Sequence, residues 1–509
     1  MNTPVIIAAI IVYISGMIYV GFRSNRRNSD IAFFYLGGRS LGPLVTAMSA
    51  EASDMSGWLL MGLPGLALMT GLAEAVWTAI GLAIGTYVNW LIVARRLRIY
   101  TEKLSAVTLP EYFSKRFGDK KHVVSLIAAL IIVIFFIPYT ASGFAACGKL
   151  FSSLFGMDYL KAMLLSAIVI TCYCVLGGFL AASTTDLIQS IVMSIALVLV
   201  LGIAEGITGG FGNIFASVRS MDGYLDIMRG FDVASSTPSS YGPLTIASTM
   251  AWGLGYFGMP HILLRFMAIR DPGALKLSRR VATVWVVISM GAAILIGVAG
   301  YGLVSAGILA PYVSASAAET IIVDISRFLA SRGWIPAFAA GVFLSGILAS
   351  TMSTADSQLI AASSSITQDL LVDFFGIKMT EVKKLMLARI SVAIIAVIAV
   401  FFAIDPTSSV FRIVSFAWAG FGAAFGPLVL FSLFYRKTNR AGAVAGIISG
   451  GAMVFIWKFG IAKLGGLFAI YELLPAFIFS AIMILVVSNL TGGADRSVTD
   501  TFDRVSKMM

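Results

Sequence analysis

Apolar stretches of about twenty residues recur from one end of the chain to the other, and few folds accept them. A stretch of that length crosses the hydrocarbon of a bilayer as a helix, because lipid offers no partner to an unpaired backbone N–H or C=O. At ~20 residues per crossing the sequence predicts about thirteen spans. They cover 4–22, 42–70, 72–94, 123–148, 158–178, 185–207 and 243–269, then 280–305, 334–364, 386–404, 408–435, 440–460 and 466–490. With 59% apolar and 12% charged residues and a mean hydropathy of +0.93, the expected class is an all-α polytopic membrane protein.

The formal charge of +11 does not point to nucleic acid, because the basic residues sit in short runs between apolar segments. Cytoplasmic loops carry the excess of lysine and arginine. The runs Arg23–Arg39 (with Arg26 and Arg27), Arg95–Lys121, Arg265–Arg280, Lys378–Arg389, Arg436–Arg440 and Arg496–Lys507 fall at every second loop. An odd number of spans then places the N-terminus outside and the C-terminus in the cytoplasm of a cell-membrane protein. The run 4–22 has no basic residues before it and reads as a first spanning helix, not a cleaved signal. Cys147, Cys172 and Cys174 lie in or beside apolar runs and read as small core residues. Of the connecting stretches, 207–241 and 306–333 lie outside and are expected to form short surface helices or lids, with Glu319, Asp324 and Arg327 at helical spacing in the second. The stretch 95–122 reads as an interfacial amphipathic segment.

One run is not written as a lipid-facing helix. Residues 49–65, SAEASDMSGWLLMGLPG, hold Glu51 and Asp54, three serines, glycines at 57, 62 and 65, and Pro64. An acid at membrane depth costs ~2.5–3.5 kcal/mol on insertion scales, so such residues face a cavity or the bundle interior and mark an ion or solute path. Glycine and proline weaken the helix where unwinding would free carbonyl oxygens, which is tolerated around a protein-lined cavity. The competing reading is a kinked helix with small residues at a close contact. The seventh span is interrupted similarly, by Gly253, Gly255, Gly258 and Pro260 beside Trp252, Tyr256 and Phe257. Paired interrupted segments at corresponding places in two halves point to a binding site.

Hydroxyls mark a third place. Ser350, Thr351, Ser353 and Thr354 precede Asp356 and Ser357, with Ser363, Ser364 and Ser365 beyond. They either bond back to their own helix or, with freed carbonyls of Ala52 and Met55, form the neutral oxygen shell of a small monovalent cation. Asp186, after Ser183, Thr184 and Thr185, is either a second cation-linked acid or a helix-start carboxylate answering the dipole. Tyr139, after Pro138, either lines the cavity or is an interfacial aromatic. The eleventh span, with Trp418, Gly420, Gly422, Gly426 and Pro427, suits a bending gate helix and close packing equally. No enzyme motif is present: there are two histidines, no nucleophile elbow and no phosphate-cradling loop. Transport driven by an ion gradient is the expected activity, in preference to a channel or a sensor.

The motifs SDMSGWLLMGLPG, GGFLAASTTD (177–186), MAWGLGYFGMPHILLRFMA (250–268), MSTADSQL (352–359) and SFAWAGFGAAFGPLVLFSL (415–433) together resemble the sodium/solute symporter family. They are nearest its proline-carrying branch and span nearly the whole chain. The resemblance implies a LeuT-like core: one extra helix (4–22), two five-helix inverted repeats (42–207 and 243–435), two further helices (440–490) and a cytoplasmic tail (491–509). It implies sodium as coupling ion and L-proline as solute, within the lipid bilayer and without nucleic acid or an obligate protein partner. Its sodium site would use backbone oxygens of Ala52, Met55 and Ser350 with the hydroxyls of Ser353 and Thr354, with Asp54 nearby. Ser56, Gly57, Tyr139, Trp252, Tyr256 and Pro260 match solute-side positions, and Asp186 matches an acid that serves a second sodium in some relatives. Glu51 and Asp356 stand where some proline carriers have small or polar residues.

Overall fold

The computed structural model describes residues 2–25, 31–219, 221–233, 235 and 237–508. Arg26 and Arg27, part of the first basic run, lie outside them. Among the described residues, ten helices are long and apolar enough to cross a membrane. The continuous ones include α1 (Thr3–Asn25), and two stretches, 43–70 and 243–268, are interrupted. The first consists of α2 (Pro43–Asp54), a π-helical turn (Trp58–Gly62) and α3 (Leu63–Thr70). Then follow α4 (Leu72–Val88), a π-helical turn (Asn89–Val93), α5 (Ala94–Lys103), α6 (Leu109–Arg116), α7 (Val123–Phe155), α8 (Tyr159–Gly177) and α9 (Phe179–Thr208). The second interrupted stretch is α10 (Pro243–Met250), a 3₁₀ segment (Ala251–Phe257) and α11 (Pro260–Ala268). Beyond it lie α12 (Leu275–Ser305), α13 (Trp334–Ser364), α14 (Glu381–Phe402), α15 (Val410–Phe434), α16 (Arg440–Phe459), α17 (Leu473–Leu490) and α18 (Arg496–Ser506).

The core gathers around α2, which packs against α9, α11, α12 and α13. The 3₁₀ segment packs against α4, α15 and α17. Close approach is written in glycine. A Cβ on Gly85 would lie 2.3 Å from the Gly253 carbonyl oxygen, and one on Gly255 would lie 1.9 Å from the Trp418 indole nitrogen. Lipid supplies no driving force between helices, so association rests on contacts of this kind.

The structure corrects or sharpens four sequence expectations. Helix α9 starts at Phe179, not near residue 185, which puts Asp186 in its third turn, beyond the reach of the helix-start dipole. The stretch 95–122 packs its inner face, Leu97, Tyr100, Tyr112 and Phe113, into the protein, while Arg95, Glu102, Lys103 and Lys115 stay exposed. Its Arg98 and Arg116 are buried too, donating to the carbonyls of Ile269 (2.7 Å) and Ser432 (2.8 Å). Guanidinium groups that satisfy carbonyls at helix ends can be interior, which residue type alone does not announce. In 306–333, helices Ala315–Ala318 and Ile321–Ala330 form, but Glu319 between them is buried against Lys149 at 2.6 Å. The stretch 207–241 holds a helix, Phe211–Val218, and a hairpin of β1 (Arg229–Asp232) and β2 (Thr237–Ser240).

Candidate functional site

The first break exposes specific atoms. In a continuous helix the Ala52 carbonyl would accept from the Ser56 N–H. Here Ser56 N donates to Asp54 O at 2.8 Å and Leu59 N to Ser56 O at 3.0 Å, so the carbonyls of Ala52 and Met55 lose their helical partners. Ser353 Oγ on α13 donates to Ala52 O at 2.7 Å and lies 3.1 Å from Ser350 O, while Thr354 Oγ1 stands 3.5 Å from Ala52 O. All these residues are buried. The arrangement offers carbonyl and hydroxyl oxygens on one small region between two helices, a hard, neutral donor set suited to a monovalent cation.

Beside this region Asp54 is held twice. Tyr256 donates its hydroxyl to Asp54 Oδ2 at 2.6 Å, and Tyr139 donates to Asp54 O at 3.2 Å. Thus the second break and α7 both grip the first. Ser56 Oγ accepts from Trp58 N at 3.2 Å and closes the turn. Gly57 admits its neighbours, since a Cβ there would meet Ala146 Cβ at 2.8 Å and Thr351 Oγ1 at 3.6 Å. Pro260 opens α11, where its missing N–H costs nothing.

Trp252 lies among aromatic rings: Trp58 at 5.7 Å, Phe411 at 5.3 Å and Tyr471 at 5.3 Å between centroids. Its carbonyl accepts the Trp418 indole N–H at 2.7 Å. Asp54, Trp58, Leu82, Tyr139, Trp252, Val414 and Trp418 enclose a cavity of about 10 Å³, room for about one water. On the far side of Phe411 opens a vestibule of about 1530 Å³, lined by Phe416, Phe455, Lys458 and Arg412 among others. Phe411 stacks on Trp58 at 6.2 Å, so a thin layer of rings separates the two spaces.

Asp186 belongs to a different group. Arg265, read from the sequence as part of a basic loop, is buried, and its Nη2 lies 3.1 Å from Asp186 Oδ2. The same guanidinium reaches Ser49 Oγ at 3.0 Å and the Ser357 hydroxyl, and Ser49 donates to Asp186 at 2.6 Å. An arginine flanked by apolar residues in ILLRFMA is the signal that marks it as interior. Trp58, Trp90, Asn89, Phe411 and Tyr471 were not singled out as site residues by sequence; apart from the lone amide of Asn89 they look like ordinary membrane aromatics.

Comparison with known proteins gives these features a context. A model of the Sodium:solute symporter family matches residues 34–450. The osmoregulated proline transporter OpuE of Bacillus subtilis is 40% identical over 507 residues, covering 99% of this chain and 98% of that protein. The sodium/proline symporter of Escherichia coli is 42% identical over 492 residues, covering 96% and 93%. Among solved structures, a Na+-coupled sialic acid symporter in a substrate-bound outward-open state shares the fold, with a TM-score of 0.78, 18% identity and coverage of 97% of this chain and 99% of that one. A family match across most of the chain, and relatives of this identity along nearly its full length, leave one conclusion: the chain is a multi-pass membrane protein of the sodium:solute symporter family.

Proposed function

We propose that the chain imports L-proline together with sodium by alternating access. The observation that carries this is the first break, where the Ala52 carbonyl leaves its helix and meets the Ser353 hydroxyl at 2.7 Å. The relatives named as proline carriers, alike along nearly the whole length, supply the solute. Sodium binds between α2 and α13, to the backbone oxygens of Ala52, Met55 and Ser350 and the hydroxyls of Ser353 and Thr354. Bound there, it fixes the unwound backbone so that the carboxylate of proline meets amides near Ser56 and Gly57. The ring of proline packs against Trp252 and Tyr256, with Tyr139 and Pro260 bounding the chamber. Asp54 organises the chamber through its bonds to both tyrosines and is not itself a ligand. Asp186 we assign to its ion pair with Arg265.

Two interrupted stretches and α8, added to the ten long helices, make thirteen crossings. We read 4–22 as an extra helix, 42–207 and 243–435 as inverted repeats, 440–490 as two closing helices and 491–509 as a tail, with the N-terminus outside the cell membrane and the C-terminus in the cytoplasm. In that orientation the vestibule opens outward and the Phe411, Trp58 and Trp252 rings form the shut outer gate. Another small amino acid or carboxylate would use the same chamber. Purified protein in liposomes distinguishes these readings: an inward sodium gradient should drive accumulation of labelled proline, with unlabelled proline the strongest competitor in a panel of solutes. Equal entry of proline with sodium replaced by potassium would refute sodium coupling, and stronger competition by another solute would replace proline.

A further inference from the structure

One wall of the proposed chamber is backed by a residue from the closing helices. Trp252 borders the cavity, and Tyr471, just before α17, lies nearly flat against it: the ring centroids are 5.3 Å apart and the planes differ by 22°. The other rings around Trp252 are more steeply inclined, Trp58 by 35°, Trp418 by 33° and Phe411 by 44°. Tyr471 is not one of the residues that enclose the cavity, so it acts on the chamber through Trp252.

Tyr471 is itself firmly placed. Its N–H donates to Ser248 Oγ on α10 at 2.7 Å, and its hydroxyl donates to the Ser415 carbonyl on α15 at 2.7 Å. The next residue, Glu472, is 7% exposed and pairs with Lys458 on α16 at 2.8 Å. Leu473 and Phe477 then press into α15 where glycine leaves room. A Cβ on Gly422 would lie 2.7 Å from Leu473 Cδ1, and one on Gly426 would lie 2.5 Å from Phe477 Cε2. A ring tied in this way to α10, α15 and α16 is a fixed plate.

The backbone of Trp252 is held as well. Its carbonyl accepts the Trp418 indole N–H at 2.7 Å, and a Cβ on the following Gly253 would lie 2.1 Å from the Gly81 carbonyl oxygen. With the backbone pinned, Trp252 has only its side-chain torsions with which to make room for a larger solute. We infer that Tyr471 is a positioning residue that sets the ring-size selectivity of the carrier. By holding the plane of Trp252 it fixes the depth of the chamber, which accepts the five-membered ring of proline and rejects its six-membered homologue, pipecolate. An extra methylene in a close-packed apolar site forces its neighbours to shift, and Trp252 would have to retreat into the space that Tyr471 fills. The inference rests on the proline-importing reading above and adds to it the residue behind the discrimination. Sodium binds at the first break, away from Tyr471, so its affinity is not part of this effect.

The test measures sodium-driven uptake of labelled proline into proteoliposomes, in competition with unlabelled proline or pipecolate. In the unaltered protein pipecolate should compete about tenfold more weakly than proline, the discrimination an apolar pocket gives to one methylene. Tyr471→Leu removes the plate and should narrow that gap to about threefold, with a higher half-saturating proline concentration and little change in maximal rate or in sodium dependence. Tyr471→Phe keeps the stacked ring and deletes only the bond to Ser415, so the gap should stay at about tenfold. An unchanged gap in Tyr471→Leu, with the maximal rate alone reduced, would make the residue structural and overturn the inference. A gap that narrows in Tyr471→Phe overturns it as well, by giving the selectivity to the hydroxyl, and that arm decides whether or not Tyr471→Leu folds. So does equal competition by pipecolate and proline in the unaltered protein. Absence of any sodium-driven proline uptake would instead refute the parent reading.

Discussion

The two interrupted stretches are built from opposite materials. The break after α2 exposes oxygen: freed carbonyls of Ala52 and Met55, the carboxylates of Glu51 and Asp54, and the α13 hydroxyls that meet them. The break after α10 exposes rings and bare backbone: Trp252 and Tyr256, with Gly253 pressed on α4 and Gly255 on Trp418. The first can hold ions, while the second can cover an apolar ring and hold its neighbour in place. The Tyr256 hydroxyl on Asp54 Oδ2 joins the two breaks directly, and in the proposed reading coupling runs through it.

That division can be broken by substitution, and the largest effect falls on packing. Gly255→Ala sets a Cβ 1.9 Å from the Trp418 indole and is expected to abolish correctly folded protein, read by expression and size-exclusion profile. Gly57→Ala crowds the Ala146 methyl at 2.8 Å and touches Thr351 Oγ1 at an ordinary 3.6 Å, and should fold with reduced transport. Next, Trp252→Ala should raise the proline concentration for half-maximal uptake about tenfold through lost ring contact. The sodium dependence should change far less; equal loss of both would make Trp252 structural. Tyr139→Phe, which deletes one hydrogen bond to the Asp54 carbonyl, should weaken proline uptake about threefold to fivefold. A larger loss there than for Trp252→Ala would reverse the roles given to the two sides.

Much of this contrast can be read in the sequence, because its causes are local. Runs of apolar residues announce the crossings, and glycine and proline inside a run announce the breaks. A hydroxyl series such as Ser350–Thr354 stands out against lipid-facing helices. What the sequence conceals depends on neighbours. Asn89 is a single neutral polar residue, and its place is set by a partner 167 residues away in sequence, the Tyr256 carbonyl. Arg265 sits near the end of an apolar run, where topology alone assigns it to a loop; its carboxylate partner lies 79 residues away in sequence. Phe411 and Tyr471 look like membrane-interface aromatics until the rings of Trp58 and Trp252 are found against them.

The central claim is that sodium in the oxygen-built break organises the chamber for proline, and equilibrium binding to purified protein tests it without transport. Linkage requires sodium to raise proline affinity and proline to raise sodium affinity by the same factor. The account predicts a clear gain in proline affinity on adding sodium to the unaltered protein. It also predicts loss of that gain, at sodium concentrations that saturate the unaltered protein, in Ser353→Ala combined with Thr354→Ala. Proline affinity that is the same with and without sodium, or a gain that survives intact in the double variant, would contradict it.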